Sequence, residues 1–146
     1  MSASIAAILE FLATFCCAIF TGAAIYVNAV EHPARMTTGV AAALAEWAPS
    51  YKRGTVMQAS LAVLGFGFAL LAWLAGAGLR VAVAGVVLVL VVPFTLIVIM
   101  PTNRRLAAVD PSKDLAEAAA LLARWNRLHM VRSALSALAL VLFLTK

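Results

Sequence analysis

Four apolar runs, each close to the length that crosses a lipid bilayer, constrain this chain more than any other feature. Two are unbroken, "VMQASLAVLGFGFALLAWLAGAG" at residues 56–78 and "LRVAVAGVVLVLVVPFTLIVIM" at 79–100. A helix needs about 20 apolar residues to span the ~30 Å hydrocarbon core. Only 12% of the residues are charged, about half the share found in soluble domains. The sequence therefore predicts an all-α integral membrane four-helix bundle, one domain over residues 1–146, with helices at about 5–32, 54–77, 79–100 and 114–145.

Positive charges are concentrated on two of the three connections between these helices. The first and third connections, with the start of helix four, hold Arg35, Lys52, Arg53, Arg104, Arg105, Lys113, Arg124 and Arg127. The other side holds only Arg80 and Lys146. We expect the protein in the cell (inner) membrane. The positive-inside rule then places loops one and three in the cytoplasm and both termini on the outer side. The net charge of +5 reflects this topology, and we expect the lipid bilayer, not nucleic acid, as the partner.

The first apolar segment has neither the positively charged start nor the short apolar region of a secretory signal peptide. No Lys or Arg occurs before Arg35, whereas a signal peptide begins with a positive region and continues with a short apolar one. We therefore expect residues 5–32 to form a helix of the mature protein.

The connections carry further signals for helix boundaries. Residues 37–49 have apolar side chains at helical spacing and predict a short interfacial helix between helices one and two, ended by Pro49. Trp47 and Tyr51 would then lie in the aromatic belt at the membrane surface. Ser112 is the candidate N-cap of helix four.

Helices two and three each show one feature that affects packing. Pro93 lies within helix three and should kink it. Helix two carries a stripe of mostly small residues that permits close helix packing, formed by Gln58, Ala62, Gly65, Ala69, Ala72 and Gly76. The stripe could serve packing inside one bundle or between copies, so a homo-oligomer stays open.

Helix four carries one polar stripe on an otherwise apolar surface. Trp125, His129, Arg132 and Ser136 fall at i, i+4, i+7 and i+11, within a sector of about 60°. An arginine facing lipid near the helix centre costs roughly 2.5–3.5 kcal/mol. We therefore expect this stripe to face the bundle interior.

Helix one carries a second polar stripe, which ends at the same side of the membrane. The stripe consists of Glu10, Thr14, Cys17, Thr21, Asn28 and Arg35, with Glu31 and His32 on its flanks. Helix three places Asn103 at this level. The sequence thus predicts a cytoplasmic-side polar pocket where Glu31, His32, Asn103, Trp125 and His129 converge. A simpler alternative for Glu31 is an i, i+4 ion pair with Arg35.

Four short motifs resemble the anthrone oxygenase-like family of small four-helix membrane proteins. They are "VEHPARM" at 30–36, "WAPSYKRGTVMQ" at 47–58, "MPTNRRL" at 100–106 and "WNRLHMVRS" at 125–133. Together they span nearly the whole chain in the order expected for that family. Some fungal members are associated with oxidising an anthrone, a flat tricyclic molecule, to the anthraquinone with dioxygen. Many bacterial members have no assigned substrate.

The resemblance implies a membrane oxidoreductase, an oxygenase or monooxygenase that acts on a small planar aromatic substrate (anthrone-, phenol- or quinol-like) with dioxygen as co-substrate. Its chemistry needs a base that removes an acidic C–H proton and donors that hold the resulting oxyanion. His129 or His32 would be the base, and Glu31 would orient its ring. The substrate-binding residues would be Asn103, Trp125, Arg132, Tyr51 and Asn28.

Two other functions use the same residues differently. His32, His129 and Glu31 could hold a metal as a 2-His-1-carboxylate set, provided that the helix breaks at Pro33, or the histidines could ligate haem in a redox protein. A non-catalytic small transporter or membrane-complex subunit is the third hypothesis. The nearly apolar second and third helices disfavour a polar transport path across the whole membrane.

Overall fold

Four long helices build the computed structural model, which describes residues 3–145. They are α1 (Ala3–Met36), α2 (Val40–Leu74), α3 (Leu79–Ala108) and α4 (Leu115–Leu144), and each is long and apolar enough to cross a membrane. The predicted all-α multi-pass membrane bundle is therefore confirmed. Lys146, which entered the charge argument, lies outside the described residues.

The helices form a four-cornered bundle in which each helix packs against the next and α4 returns beside α1. The α2–α3 turn lies at one end of the bundle. The α1–α2 and α3–α4 connections lie at the other, which we name the basic end after its exposed Lys52, Arg53, Arg104 and Arg105. Two apolar clusters fill the interior, one of mainly small residues toward the α2–α3 turn and one rich in Leu and Trp at the basic end.

The prediction of a separate short helix at residues 37–49 is wrong. Helix α2 runs without interruption from Val40 to Leu74 with Pro49 inside it. Proline removes the hydrogen bond to the carbonyl four residues earlier, and here both Pro49 and Ala45 are exposed, so this carbonyl is open to solvent instead of being buried. The chain breaks earlier, at Gly39, whose φ of +90° is readily adopted only by glycine.

Helix α3 departs from regular α-helical geometry around Pro93, where the sequence predicts a kink. Its first α-helical part ends at Val89, the helix resumes at Val91–Phe94, and a π-helical segment follows at Thr95–Ile99. A second π-helical segment, Val27–Glu31, lies in α1. Such segments insert one extra residue into a turn and redirect the side chains that follow. In α1 this redirection falls immediately before His32.

The small-residue stripe of α2 serves packing inside the bundle. Gln58, Ala62, Gly65, Ala69 and Ala72 are all buried. A Cβ atom at Gly65 would lie 2.7 Å from Leu88 Cδ2, and one at Gly85 of α3 would lie 2.5 Å from Ala69 Cβ. The glycines therefore set how closely α3 approaches α2. Gly76 is not part of this contact, since it is exposed and ends α2 with a φ of +104°.

Two aspartates fix the turn between α3 and α4. Asp110 accepts hydrogen bonds from Ser112 Oγ (2.7 Å) and Ser112 N (3.0 Å), and these bonds hold the pKa of the Asp110 carboxyl below its usual value. Asp114 is the N-cap of α4, because its side chain accepts the Glu117 backbone N–H at 2.7 Å. The prediction of Ser112 as the cap is wrong, since its hydroxyl is bonded to Asp110.

Candidate functional site

A cavity of about 640 Å³ opens near the basic end, between α1, α2 and α4. Small-molecule sites typically have roughly 300–1,000 Å³. Helix α1 lines it with Ala23, Tyr26, Val27 and Glu31, α2 with residues between Glu46 and Gln58, and α4 with Trp125, His129 and Arg132. The polar stripe of α4 thus faces the bundle interior, on the wall of a space large enough for a polycyclic aromatic molecule.

Five of the eight predicted site residues line this cavity and three lie behind its wall. The lining residues are Glu31, Tyr51, Trp125, His129 and Arg132. Asn103 is buried and donates from Nδ2 to Tyr51 Oη at 2.8 Å. His32 is also buried, with its ring centroid 6.1 Å from that of Trp125. Asn28 contacts His129 from outside the cavity.

A hydrogen-bond network centred on Asn28 fixes the imidazole of His129. Asn28 Nδ2 donates to Asn126 Oδ1 (2.7 Å) and to the Asn126 backbone carbonyl (3.1 Å). A backbone carbonyl can only accept, so the amide nitrogen of Asn28 must point toward it. Its oxygen Oδ1 therefore faces Ser133 Oγ at 2.6 Å and His129 Nδ1 at 3.0 Å.

This orientation determines the tautomer of a neutral His129. Since Oδ1 is an acceptor, Nδ1 must carry the proton and donate it to Asn28. The other ring nitrogen, Nε2, then has a free lone pair. Among residues 3–145 no group hydrogen-bonds Nε2, and His129 lines the cavity. The ring is thus held with a proton acceptor available to a molecule in the cavity.

Glu31 does not have the role predicted for it. Its carboxylate pairs with Arg35 and accepts a hydrogen bond from Ser50 Oγ at 2.5 Å. Arg35 Nε also lies 2.5 Å from Glu46 Oε2. The i, i+4 ion pair considered from the sequence is therefore present, and the contact that orients a histidine ring comes from Asn28. We name Glu31, Arg35, Glu46 and Ser50 the ionic latch, which joins the end of α1 to the start of α2.

Aromatic rings form one side of the site. The Trp125 ring centroid lies 5.1 Å from that of His129, and its edge meets Trp47 at 6.1 Å and 84°. Trp47 in turn stacks on Tyr51 at 5.1 Å and 9°. Trp47 is only 2% exposed, so its predicted position in the surface aromatic belt is wrong. These contacts hold Trp125 and Tyr51 as rigid walls of the cavity.

Arg132 lines the cavity and is 6% exposed. Its Nη2 donates to Gln58 Oε1 at 2.8 Å, and its guanidinium lies 5.5 Å from the ring centroid of Phe20. The buried Nε atom has no hydrogen-bond partner. Arg132 and the accessible edge of His129 therefore present donors and an acceptor to the same space.

The 2-His-1-carboxylate set of the alternative metal hypothesis, His32, His129 and Glu31, is not assembled. Within the described part of the chain no group of three His, Cys, Asp or Glu side chains is close enough to hold a metal ion. Glu31 is turned toward Arg35, and His32 packs beside Trp125 instead of facing the cavity.

Three residues that hydrogen-bond Asn28 or Arg132 were not among the sequence-predicted site residues. Asn126 and Ser133 complete the Asn28 network, and Gln58 pairs with Arg132. Asn126 and Ser133 lie at i−3 and i+4 from His129, so helical spacing was an available signal. Gln58 was predicted only as a packing residue of the small-residue stripe of α2, and its contact with Arg132 had no signal in the sequence.

Comparison with known proteins agrees with the motifs. The family model for anthrone oxygenase matches residues 47–142, about two thirds of the chain. The chain belongs to the anthrone oxygenase family. It is also similar to anthrone oxygenase tpcL of Aspergillus fumigatus, with 43% identity over 61 residues, which are 40% of this chain and 38% of that protein. The match thus spans about two fifths of the relative's length. No solved structure matches the chain.

Family membership confirms the resemblance drawn from the motifs. Three of them, at 47–58, 100–106 and 125–133, lie inside the matched region, and "VEHPARM" at 30–36 precedes it. The matched region includes the α4 wall of the cavity and the α2 wall except Glu46, but not α1. Asn28, which orients His129, therefore lies outside it.

Proposed function

We propose that this protein is a membrane oxygenase that oxidises a small planar aromatic substrate with an acidic C–H group, such as an anthrone, using dioxygen. One observation carries the proposal: His129 is buried, bonded through Nδ1 to Asn28, and has a free Nε2 at the cavity. A general base needs this combination of fixed orientation and an open acceptor. Family membership supports oxygenase chemistry, and the substrate class and the mechanism are part of this proposal.

Proton removal starts the reaction. The methylene of an anthrone lies between two rings and opposite a carbonyl, so loss of one proton to His129 Nε2 places the negative charge mainly on the carbonyl oxygen. The guanidinium of Arg132 would stabilise that oxyanion, because a cation aimed at developing charge in a water-poor site lowers the barrier strongly. The flat rings would pack on Trp125 and Tyr51.

Reaction of the carbanion with dioxygen completes the oxidation. The carbon bonds to dioxygen and gives a hydroperoxide, and loss of water with the remaining C–H hydrogen leaves a carbonyl. Anthrone and dioxygen thus give anthraquinone and water. His129, protonated in the first step, can return its proton to the peroxide or to the departing water. The route requires a base and an oxyanion site, both of which the cavity offers.

Oxygen uptake with anthrone by the protein purified in neutral detergent tests this proposal. We expect His129→Ala to lower turnover by about 10²–10⁴-fold, the usual contribution of a general base. His32→Gln is the matched control, because His32 is buried but does not line the cavity, and it should retain most activity. Anthrone alone in the same micelles gives the uncatalysed rate.

Two outcomes would contradict the proposal. The base assignment fails if His129→Ala turns over as fast as the unaltered protein. Metal analysis and an absorption spectrum form the second check. Near-stoichiometric iron, copper or haem that is lost in His129→Ala would make this histidine a ligand instead of a base.

A further inference from the structure

One of the buried charged groups that line the cavity has no partner of opposite charge within the described residues. Four of its lining residues carry a formal charge, namely Glu31, Glu46, Arg53 and Arg132. Both acids pair with Arg35 in the ionic latch. Arg53 is exposed at the basic end, where water or headgroups can screen it. Arg132 remains as the one buried lining cation, and within the described residues no carboxylate pairs with it.

The contacts of Arg132 are all with neutral groups. Gln58 supplies one acceptor at 2.8 Å, and the Phe20 ring lies 5.5 Å away. A guanidinium has five N–H donors, and among residues 3–145 only this one hydrogen bond uses them. The buried Nε atom is unpartnered. Arg132 is only 6% exposed, so its unused donors can be reached almost solely through the cavity.

The position of Arg132 along α4 makes this arrangement costly. It lies 12 residues before the last residue of α4, Leu144, which at 1.5 Å per residue is about 18 Å from that helix end. This is well inside the segment that spans the membrane. A buried charge without a partner is strongly unfavourable, and buried charges are normally paired or bind a counter-ion.

We propose that the cavity is a binding site for an organic anion, a planar aromatic ligand whose phenolate or carboxylate oxygen pairs with Arg132 while its rings pack on Trp125. The inference deepens the proposed function, because it makes the substrate an anion already when it binds and not only after proton removal. Arg132 and His129 are three residues apart on one helix face, with Cβ atoms about 5–6 Å from each other. The anionic oxygen would therefore lie about one aromatic ring away from Nε2.

Equilibrium binding of two nearly isosteric probes tests the anion site without any turnover. Anthraquinone-2-carboxylate and the neutral anthraquinone-2-carboxamide would be titrated against the protein in an uncharged maltoside detergent at neutral pH. We expect the carboxylate to bind at least about tenfold more tightly, since charge-assisted hydrogen bonds are stronger than neutral ones. Equal affinities for the two probes would overturn the proposal.

Two variants show which cation is responsible. Arg132→Gln should remove the preference for the carboxylate, whereas Arg53→Gln, which removes an exposed lining arginine, should leave it unchanged. A preference that survives Arg132→Gln, or that is lost in Arg53→Gln, assigns the anion to another group and refutes the inference. If Arg132→Gln does not fold, the two probes are compared in the unaltered protein and in Arg132→Lys. Arg132→Lys should keep part of the preference for the carboxylate, and a preference as large as in the unaltered protein would refute the role of Arg132.

The binding test and the turnover test fail independently. A clear preference for the carboxylate with no oxygen uptake from any anthrone would refute the proposed oxygenase and leave the anion site standing. Turnover of anthrone with equal binding of both probes would do the opposite.

Discussion

Replacing Asn28 by leucine tests the central feature of the site, which is the fixed tautomer of His129. Leucine has nearly the size of asparagine but cannot accept the Nδ1–H hydrogen bond, now 3.0 Å long. The proton on Nδ1 would then be buried without a partner. We expect it to move to Nε2, where the cavity offers space and polar groups, and the lone pair that faces the cavity would be lost.

The size of the effect follows from one hydrogen bond. Leaving a buried donor unpaired costs about 1–3 kcal/mol. Since about 1.36 kcal/mol is a factor of ten, the ratio of the two tautomers should shift by roughly 5- to 160-fold toward the Nε2–H form. Turnover of anthrone should fall by up to the same factor, because only the Nδ1–H form has a base at the cavity.

The assay is nitrogen-15 NMR of histidine-labelled protein in detergent. The chain has only 2 histidines, so the spectrum contains two rings and the tautomer of each can be assigned. Ser133→Ala is the matched control, because it removes the other donor to Asn28 Oδ1 and leaves the bond to His129. Thr14→Val removes a hydrogen bond to the α1 backbone, at the carbonyl of Glu10, and should change neither ring.

Two results would refute this reasoning. The unaltered protein must show a protonated Nδ1 on His129, and a protonated Nε2 in the neutral ring would contradict the network. An Asn28→Leu spectrum identical to that of Ser133→Ala would show that Asn28 does not determine the tautomer, whatever its effect on activity.

Two further predictions concern stability, each read from thermal unfolding in detergent. Gly85→Ala should destabilise the bundle by about 1–3 kcal/mol, because overpacking a tight helix contact forces backbone shifts. The control Gly67→Ala, which has nothing within 4 Å of the added Cβ, should be neutral or slightly stabilising. Equal unfolding temperatures for the two variants would contradict the close approach of α3 to α2. Asp114→Ala should cost about 0.5–2 kcal/mol through loss of the α4 N-cap, and Ser112→Ala should cost less; the reverse order would restore Ser112 as the cap.

The sequence was sufficient to predict the membrane bundle, because the length of apolar runs and the distribution of charge are each read over many residues. It was also sufficient for the inward-facing stripe of α4, since Trp125, His129 and Arg132 are all buried and line the cavity. One polar stripe on an apolar helix has only one favourable direction to face. These predictions depend on helical period and hydrophobicity alone.

Partner choice within the pocket could not be derived in the same way. Glu31 and His32 are adjacent in sequence, yet the π-helical segment that ends at Glu31 and the turn that follows direct the carboxylate to Arg35 and Ser50. A one-residue insertion in a helical turn has no clear sequence signature. Asn28 instead reaches His129 across two helices, a contact that depends on how α1 and α4 are rotated against each other.

Pro49 has a mechanical consequence for the cavity that it lines. By removing one hydrogen bond from α2, it makes that helix most compliant between Glu46 of the ionic latch and Gln58, the partner of Arg132. The part of α2 beyond Gln58 is clamped by its glycine contacts to α1 and α3. A bend of α2 at Pro49 would therefore move the part of the cavity wall between Glu46 and Gln58 and leave the tightly packed half of the bundle in place.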